Sequence, residues 1–502
     1  MTRMIISRAR LLGSNEGDLV DIVLEGETIL AVGPSGSLPH DGLDEIDADG
    51  RVVIPGLWDE HVHFGLWAQH RRRVDLSGAT SAEQAASIMA SAVLANKERL
   101  EPDPVVVGAG YRDGLWADDK TTALLDDRVG ATPVMLLSVD VHSCWVNSAT
   151  LQRFGITGHD LDGVLTEQDC FDLTGRVGAV EDSVLDSWVF EAAQAAAGRG
   201  VVGIVDLEMA YNSVDWARRA QAFPEGFLLR VEAGVYPNFL ERAIGDGLRT
   251  GTPIAPGMAV GPFKIITDGS LNTRTAYCCE PYLGIEGDER GAMNFPVDEI
   301  ERLLVRADGA GFQLAVHAIG DEANRLVLDI MEKHSFSGRI EHAQLVRSID
   351  FSRFQQLGII ASVQPEHAVD DRDVTDVYWA DRTDRAFALR SLVDAGATLV
   401  LGSDAPVAPL DPWVTIAAAV TRTRDGRDPW HREQALTVIE ALNFSTRSTI
   451  EPGQPADLVV LEADPVWLVK ALAPDHAAAS DALRAMPVSV TIAAGRITYQ
   501  AD

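Results

Sequence analysis

His61 and His63 stand one residue apart at the end of the run Ile54-Pro55-Gly56-Leu57-Trp58-Asp59-Glu60-His61-Val62-His63-Phe64. In an extended strand residues i and i+2 share a face, so the two imidazoles project together while Val62 packs behind them. One strand can then offer two nitrogen donors to one metal ion. Three more stretches are β runs that end in a residue able to bind metal or move a proton: Phe312-Gln313-Leu314-Ala315-Val316-His317, Arg339-Ile340-Glu341-His342-Ala343-Gln344 and Thr398-Leu399-Val400-Leu401-Gly402-Ser403-Asp404. Taken singly each has a structural use. A histidine at a strand end is often a hydrogen-bonded or capping residue, and Asp404 fits an N-cap before Ala405-Pro406. Their joint occurrence points instead to a metal centre.

Lys264, in Gly261-Pro262-Phe263-Lys264-Ile265-Ile266-Thr267-Asp268-Gly269, has apolar neighbours on both sides. Burial of an ammonium is penalised unless it is paired or modified. A lysine with a depressed pKa can add carbon dioxide, and the carbamate's two oxygens can bridge two cations. The alternative is a lysine that snorkels to solvent or pairs with Asp268.

The elements that must position these groups alternate strand with helix, the pattern of a parallel sheet wrapped by helices. Ten stretches between residues 52 and 405 read as buried strands, whereas a barrel of this type closes with eight. Val105–Tyr111 and Val134–Asp140 are the two to set aside, since both fall between the His-Val-His strand and Val201–Asp206. Lys264, His317, His342 and Asp404 then end the fourth, fifth, sixth and eighth strands, at the barrel mouth where active sites of this fold lie. Residues 4–12, 19–33, 456–461 and 488–499 also read as strands, and neither terminus alone has enough of them for a stable sheet. The expected architecture is an α/β chain: a (β/α)8 TIM-like barrel over residues 57–450, a small β-sandwich made from 1–56 and 451–502, and an α/β insertion at about 69–178 near the barrel mouth.

A net charge of −33 opposes binding to nucleic acid or to anionic membranes, both polyanions. Among the 46% hydrophobic residues no apolar run approaches the roughly 18 needed to span a membrane. Met1-Thr2-Arg3-Met4-Ile5-Ile6-Ser7-Arg8 lacks a signal-peptide hydrophobic segment, and Cys144, Cys170, Cys278 and Cys279 show no metal-type spacing. A cytoplasmic protein with reduced thiols and a small-molecule substrate is expected, and a homodimer is left open.

The chain resembles the amidohydrolase superfamily, in the amidohydrolase 3 branch that includes N-substituted formamide deformylases. The resemblance is carried by Pro55–His63, Val141-His142-Ser143-Cys144-Trp145-Val146-Asn147-Ser148, Phe263–Leu271, His317–Asn324, Arg339–Gln344, Ser362-Val363-Gln364-Pro365-Glu366-His367, Gly402–Val407 and Pro452–Val460. It implies His61 and His63 as first-strand metal ligands, Lys264 as a carboxylated bridging lysine, His317 and His342 as ligands of a second metal, and Asp404 as the last-strand aspartate. The cofactor implied is a divalent transition metal, zinc foremost, with one or two ions per chain. A metal-activated hydroxide would cleave a C–N bond of an amide or formamide, with Asp404 as the catalytic proton carrier. His142, Trp145 and Asn147 on the insertion, with Arg274 and His367 at the mouth, are candidate substrate contacts. Trp58 and Trp67 suggest an aromatic entrance, and Glu167 lies in a family-like stretch without an assignable role. A deaminase or cyclic-amide hydrolase uses the same centre. A non-catalytic metal-binding scaffold is disfavoured, because all six core positions keep competent side chains.

Overall fold

The computed structural model describes residues 3–15, 17–95, 105–111, 113, 116–138, 143–158, 162–178, 180–223 and 226–501, with backbone alone at 167, 168 and 171. Eight parallel strands form the central sheet in sequence order: Leu57–Val62, Val201–Asp206, Arg230–Val235, Met258–Ile266, Leu314–Ala318, Gly338–His342, Ile359–Val363 and Leu399–Leu401. They are called here the first to eighth barrel strands. Their sequences are short, β-branched and buried; Val201–Asp206 is covered at all six positions, as a strand between two packed faces must be. Helices such as Val297–Gly309 and Asp321–His334 cover the outside.

The eighth and first strands close the ring. The Asp404 N–H donates to the His61 carbonyl at 2.7 Å, the His63 N–H donates to the Ala405 carbonyl at 2.8 Å, and Val62 and Ala405 form a parallel bridge. Gly402 permits this approach, since a Cβ there would lie 2.7 Å from the His61 nitrogen. The first strand also carries one extra residue: Asp59 to Val62 runs opposite Ile204 to Asp206. Such a bulge turns consecutive side chains out of strict alternation. It explains why Glu60 and His61 both reach partners across the barrel interior.

The termini share a second sheet. Arg3–Leu11 pairs antiparallel with Leu19–Glu25, while Leu458–Leu461 pairs antiparallel with Val52–Pro55 and with Val488–Ala493. At a bulge between Ile6 and Ala9, where Arg8 takes φ 52°, the first of these strands changes partner. Its first half pairs with Asp44–Asp47 and its second with Val52–Pro55. A strand that switches partner at a bulge folds one sheet around its own core, here Ile6, Ile22, Leu24, Val53, Leu458 and Ile492.

The chain divides into two compact units, Met1–Trp67 with Val189–Asp502, and Ala68–Trp188. The second contains a five-stranded sheet that includes Val106–Tyr111, Val134–Ser138 and Ser143–Val146. The two strands set aside from the barrel therefore belong here. Among the described residues no helix is long and apolar enough to cross a membrane.

Candidate active site

At the barrel closure His61, His342 and Asp404 each present a donor atom, and the three lie within 4.8 Å of one another. Asp404 is the hub. Its Oδ1 is 3.3 Å from His61 Nε2 and 3.4 Å from His63 Nε2, and its Oδ2 is 3.8 Å from His367 Nε2. The His342 ring lies 5.1 Å from that of His61, 4.5 Å from His317 and 6.0 Å from His367. His61, His63, His317, His342, His367 and Asp404 thus gather in one place. Lys264, on the fourth strand, is buried with them, and Glu341 and Asp404 act electrostatically on its amine.

Local backbone geometry aims these groups. Asp404 adopts φ 57° and His342 φ 73°, a left-handed region costly for residues with side chains. In strand alternation Arg339 and Glu341 share the inner face, so His342 would point outward; the left-handed turn at the strand end redirects it. His367 rides on the short helix Pro365–Asp370, whose Glu366 is held by Arg424 at 2.8 Å and by Arg484 at 2.7 and 3.0 Å.

Burial governs the electrostatics. It lowers His61 to about 4 and His317 to about 3, with the Lys264 charge adding to both, and it holds His342 well below its ordinary value. These imidazoles are neutral near pH 7, the form that ligates metal. Burial also works to raise the Asp404 carboxyl, but His61 and the contact with His63 outweigh it and hold Asp404 well below the usual range. The Lys264 amine is lowered by burial to about 8. His63 Nδ1, Lys264 Nζ and His342 Nδ1 are buried with no hydrogen-bond partner, and His317 Nε2 lies 3.4 Å from Asp268 Oδ1. Buried polar atoms are nearly always paired, so unpartnered histidine nitrogens gathered near an ionised carboxylate fit a donor set for a divalent cation.

Asp268 does not pair with Lys264. Its carboxylate instead accepts the N–H groups of Ile319 at 3.1 Å, Gly320 at 2.9 Å and Tyr277 at 2.9 Å, which fixes the loop after the His317 strand. Two expected substrate contacts take structural positions within the smaller unit. Trp145 is wholly buried in the smaller unit and donates its indole N–H to the Thr121 carbonyl at 3.2 Å. Asn147 is wholly buried as the N-cap of the helix Ser148–Phe154; it accepts from Thr150 at 3.1 Å and Val134 at 3.2 Å and donates to the Thr132 carbonyl at 2.9 Å. Neither has a polar group free for a ligand. His142 lies outside the described residues, as does the Glu167 side chain. Arg274 is exposed on the loop after the fourth strand, where it reaches the Tyr378 hydroxyl at 3.2 Å and lies over its ring. Nor do Trp58 and Trp67 form an aromatic entrance. Trp58 is buried under the Arg447 guanidinium, and Trp67 packs on Phe64.

Sequence reading missed Glu341, whose Oε2 lies 2.8 Å from His61 Nδ1 and accepts the Ser362 hydroxyl at 2.6 Å. It also missed Gln364, whose amide nitrogen is 3.4 Å from His61 Nδ1. The signal for Glu341 was its i+2 spacing from Arg339 within one strand.

The fold and the donor set define a (β/α)8 protein with a histidine- and carboxylate-lined centre at the C-terminal ends of its strands. Residues 44–499 match the model of the amidohydrolase family, and the chain belongs to that family. It is therefore a hydrolase. Putative amidohydrolase YtcJ of Bacillus subtilis (strain 168) is 28% identical over 502 residues, covering 91% of this chain and 90% of that protein. N-substituted formamide deformylase of Arthrobacter pascens is 24% identical over 473 residues, with coverage of 84% and 85%. The crystal structure of an uncharacterized metal-dependent hydrolase from Pyrococcus horikoshii OT3 shares the fold, with a TM-score of 0.77 at 23% identity over 93% of this chain and 98% of that one.

Proposed function

We propose that the protein is a zinc-type hydrolase of C–N bonds in small amides or formamides. The observation that carries this reading is the set of donors on His61, His342 and Asp404 within 4.8 Å of one another, surrounded by buried, unpartnered nitrogen atoms. Similarity to an N-substituted formamide deformylase over most of both chains supports the C–N bond as target.

His61, His63, His317, His342 and Asp404 would hold one or two ions. Lys264, once carboxylated by carbon dioxide with loss of a proton, would add a carbamate to that donor set. When bound, the metal would supply Lewis acidity toward the scissile carbonyl and lower the pKa of water toward neutrality. Asp404, ionised and facing His61, His63 and His367, accepts the proton of the attacking water and passes it to the leaving nitrogen. His367, beside Asp404 Oδ2, is placed to orient that carboxyl or the substrate.

Elemental analysis of gently purified protein, followed by assay against formamides, N-acyl amines, hydantoins and amino-heterocycles, tests the reading. Near-stoichiometric zinc and turnover of a formamide or linear amide are expected. Less than half an equivalent of any divalent transition metal in active protein would sink the metal reading, and turnover confined to amino-heterocycles or cyclic amides would move the substrate class.

A further inference from the structure

Beneath the donor cluster the barrel interior holds a continuous run of ion pairs. Glu232 Oε1, on the third strand, meets Arg447 Nη1 at 2.5 Å. Arg447 also binds Glu60, through Nε at 2.6 Å and Nη2 at 2.7 Å. Arg339 donates to Glu60 Oε2 at 3.0 Å and to the Glu60 carbonyl at 2.8 Å, and its Nε lies 2.6 Å from Glu341 Oε1. Glu341 Oε2 ends the run at His61 Nδ1. Arg447 enters at the N-terminal end of the barrel, where Thr446 bridges Leu57 and the Ser445 carbonyl accepts from the Trp58 N–H. Side-chain exposure is 31% at Arg447, 4% at Glu60, 11% at Arg339 and 0% at Glu341.

Stability does not account for this arrangement. Barrel interiors are ordinarily filled by branched apolar side chains, and replacing buried ion pairs by apolar residues of similar size is often neutral or stabilising. The chain nevertheless keeps five charged groups here. It also covers the Arg447 guanidinium with Trp58 at 3.8 Å, for which Gly203 leaves the room; a Cβ at Gly203 would lie 2.4 Å from the indole. Guanidinium groups do not release protons near neutral pH, so the run conducts none. It is a row of fixed charges, and its inner end is a carboxylate whose Oε2 lies 2.8 Å from His61 Nδ1. A carboxylate at that distance favours the proton on Nδ1, which leaves the Nε2 lone pair for the donor cluster.

We propose that Glu341, Arg339, Glu60 and Arg447 form a column of fixed charges that positions His61 as a metal donor from the opposite end of the barrel, with Arg447 as a remote positioning residue. The proposal rests on the reading of the centre as a metal site. Each link contacts the next: Arg447 anchors the Glu60 carboxylate, Glu60 holds two nitrogens of the Arg339 fork, and Arg339 Nε lies against Glu341, whose other oxygen faces His61. Arg447 touches none of the donors, so a change there reaches the metal only through the column.

The test is divalent-metal affinity by chelator competition, with zinc and cobalt, and the visible spectrum of the cobalt-loaded protein. It uses wild type, Glu341→Gln, Arg447→Gln, Arg447→Lys and the double variant. Glu341→Gln is expected to weaken affinity ~10-fold to 100-fold, the usual effect of losing a partner behind a ligating histidine. Arg447→Gln should weaken it several-fold and shift the cobalt bands, with Arg447→Lys in between. In the Glu341→Gln background, Arg447→Gln should add nothing, because the path is already cut. Unchanged affinity and spectrum in Arg447→Gln, or an effect that adds in full in the double variant, would overturn the column. If Glu341→Gln does not fold, Glu341→Asp takes its place and the cobalt spectrum of Arg447→Gln decides. A wild type that takes up neither ion would overturn the metal-site reading as well, whereas normal uptake by every variant overturns the column alone.

Discussion

Asp404 donates its backbone N–H to the His61 carbonyl at 2.7 Å, and its side-chain Oδ1 stands 3.3 Å from Nε2 of the same histidine. One residue pair therefore closes the barrel and begins the donor cluster. These donor groups are placed by the seam between the eighth and first strands, which favours a preorganised site.

Gly402 should be sensitive for that reason. A methyl group there meets the His61 nitrogen at 2.7 Å and the His61 Cβ at 2.8 Å, so the seam must open. Gly402→Ala is expected to cost roughly 1–3 kcal/mol, as overpacking typically does, and to weaken metal uptake with it. Thermal unfolding with and without metal checks both effects, and an unchanged melting temperature would show that the seam adapts.

Asp404→Asn replaces the carboxylate with a near-isosteric amide that cannot take a proton. Turnover should fall by ~10²-fold to 10⁴-fold, as on loss of a general acid or base, while circular dichroism and most of the bound metal are retained. A variant close to the wild-type rate would assign the proton to another group.

Asn147 separates a structural from a ligand-binding role on the smaller unit. Its removal deletes an N-cap and several buried hydrogen bonds. Asn147→Ala should therefore destabilise by about 1–3 kcal/mol and leave the KM of the folded enzyme unchanged. A raised KM at unchanged melting temperature would restore it as a substrate contact.

The donor residues were legible because each ends an apolar strand, and strand order follows from alternating β and α segments. His342 and Glu341 mark where local reasoning stops. Adjacent residues of a strand face opposite ways, yet both serve the site, because His342 takes φ 73° at the strand end. Glu60 and His61 share the interior through a bulge that no residue type announces. Arg339 lies 279 residues from Glu60, and Arg447 lies 387 residues from it. Pairing at that separation leaves no periodicity to read. Trp145 and Asn147 are ambiguous for another reason: residue type alone does not tell a ligand contact from a core indole or a helix cap.

Lys264 offers a prediction in which the sign is the test. Burial lowers its amine from 10.5 to about 8, so between those pH values the unfolded chain binds a proton that the folded one does not. Stability then rises with pH across that window, opposite to a lysine that gains an ion-pair partner. Below pH 8 the buried ammonium costs the metal-free, uncarboxylated protein about 3 kcal/mol, at ~1.36 kcal/mol per pKa unit, and the cost fades as pH approaches 10.5. Lys264→Met should accordingly be more stable relative to wild type at pH 7 than at pH 10. Denaturant unfolding of both proteins, metal-free and under carbon-dioxide-free buffer, measures the difference. Bicarbonate with zinc should reverse it by favouring the wild type, since the carbamate brings a charge that the cations stabilise. A stability difference that stays flat with pH would mean that the Lys264 amine keeps an ordinary pKa, and would remove the physical basis for its carboxylation.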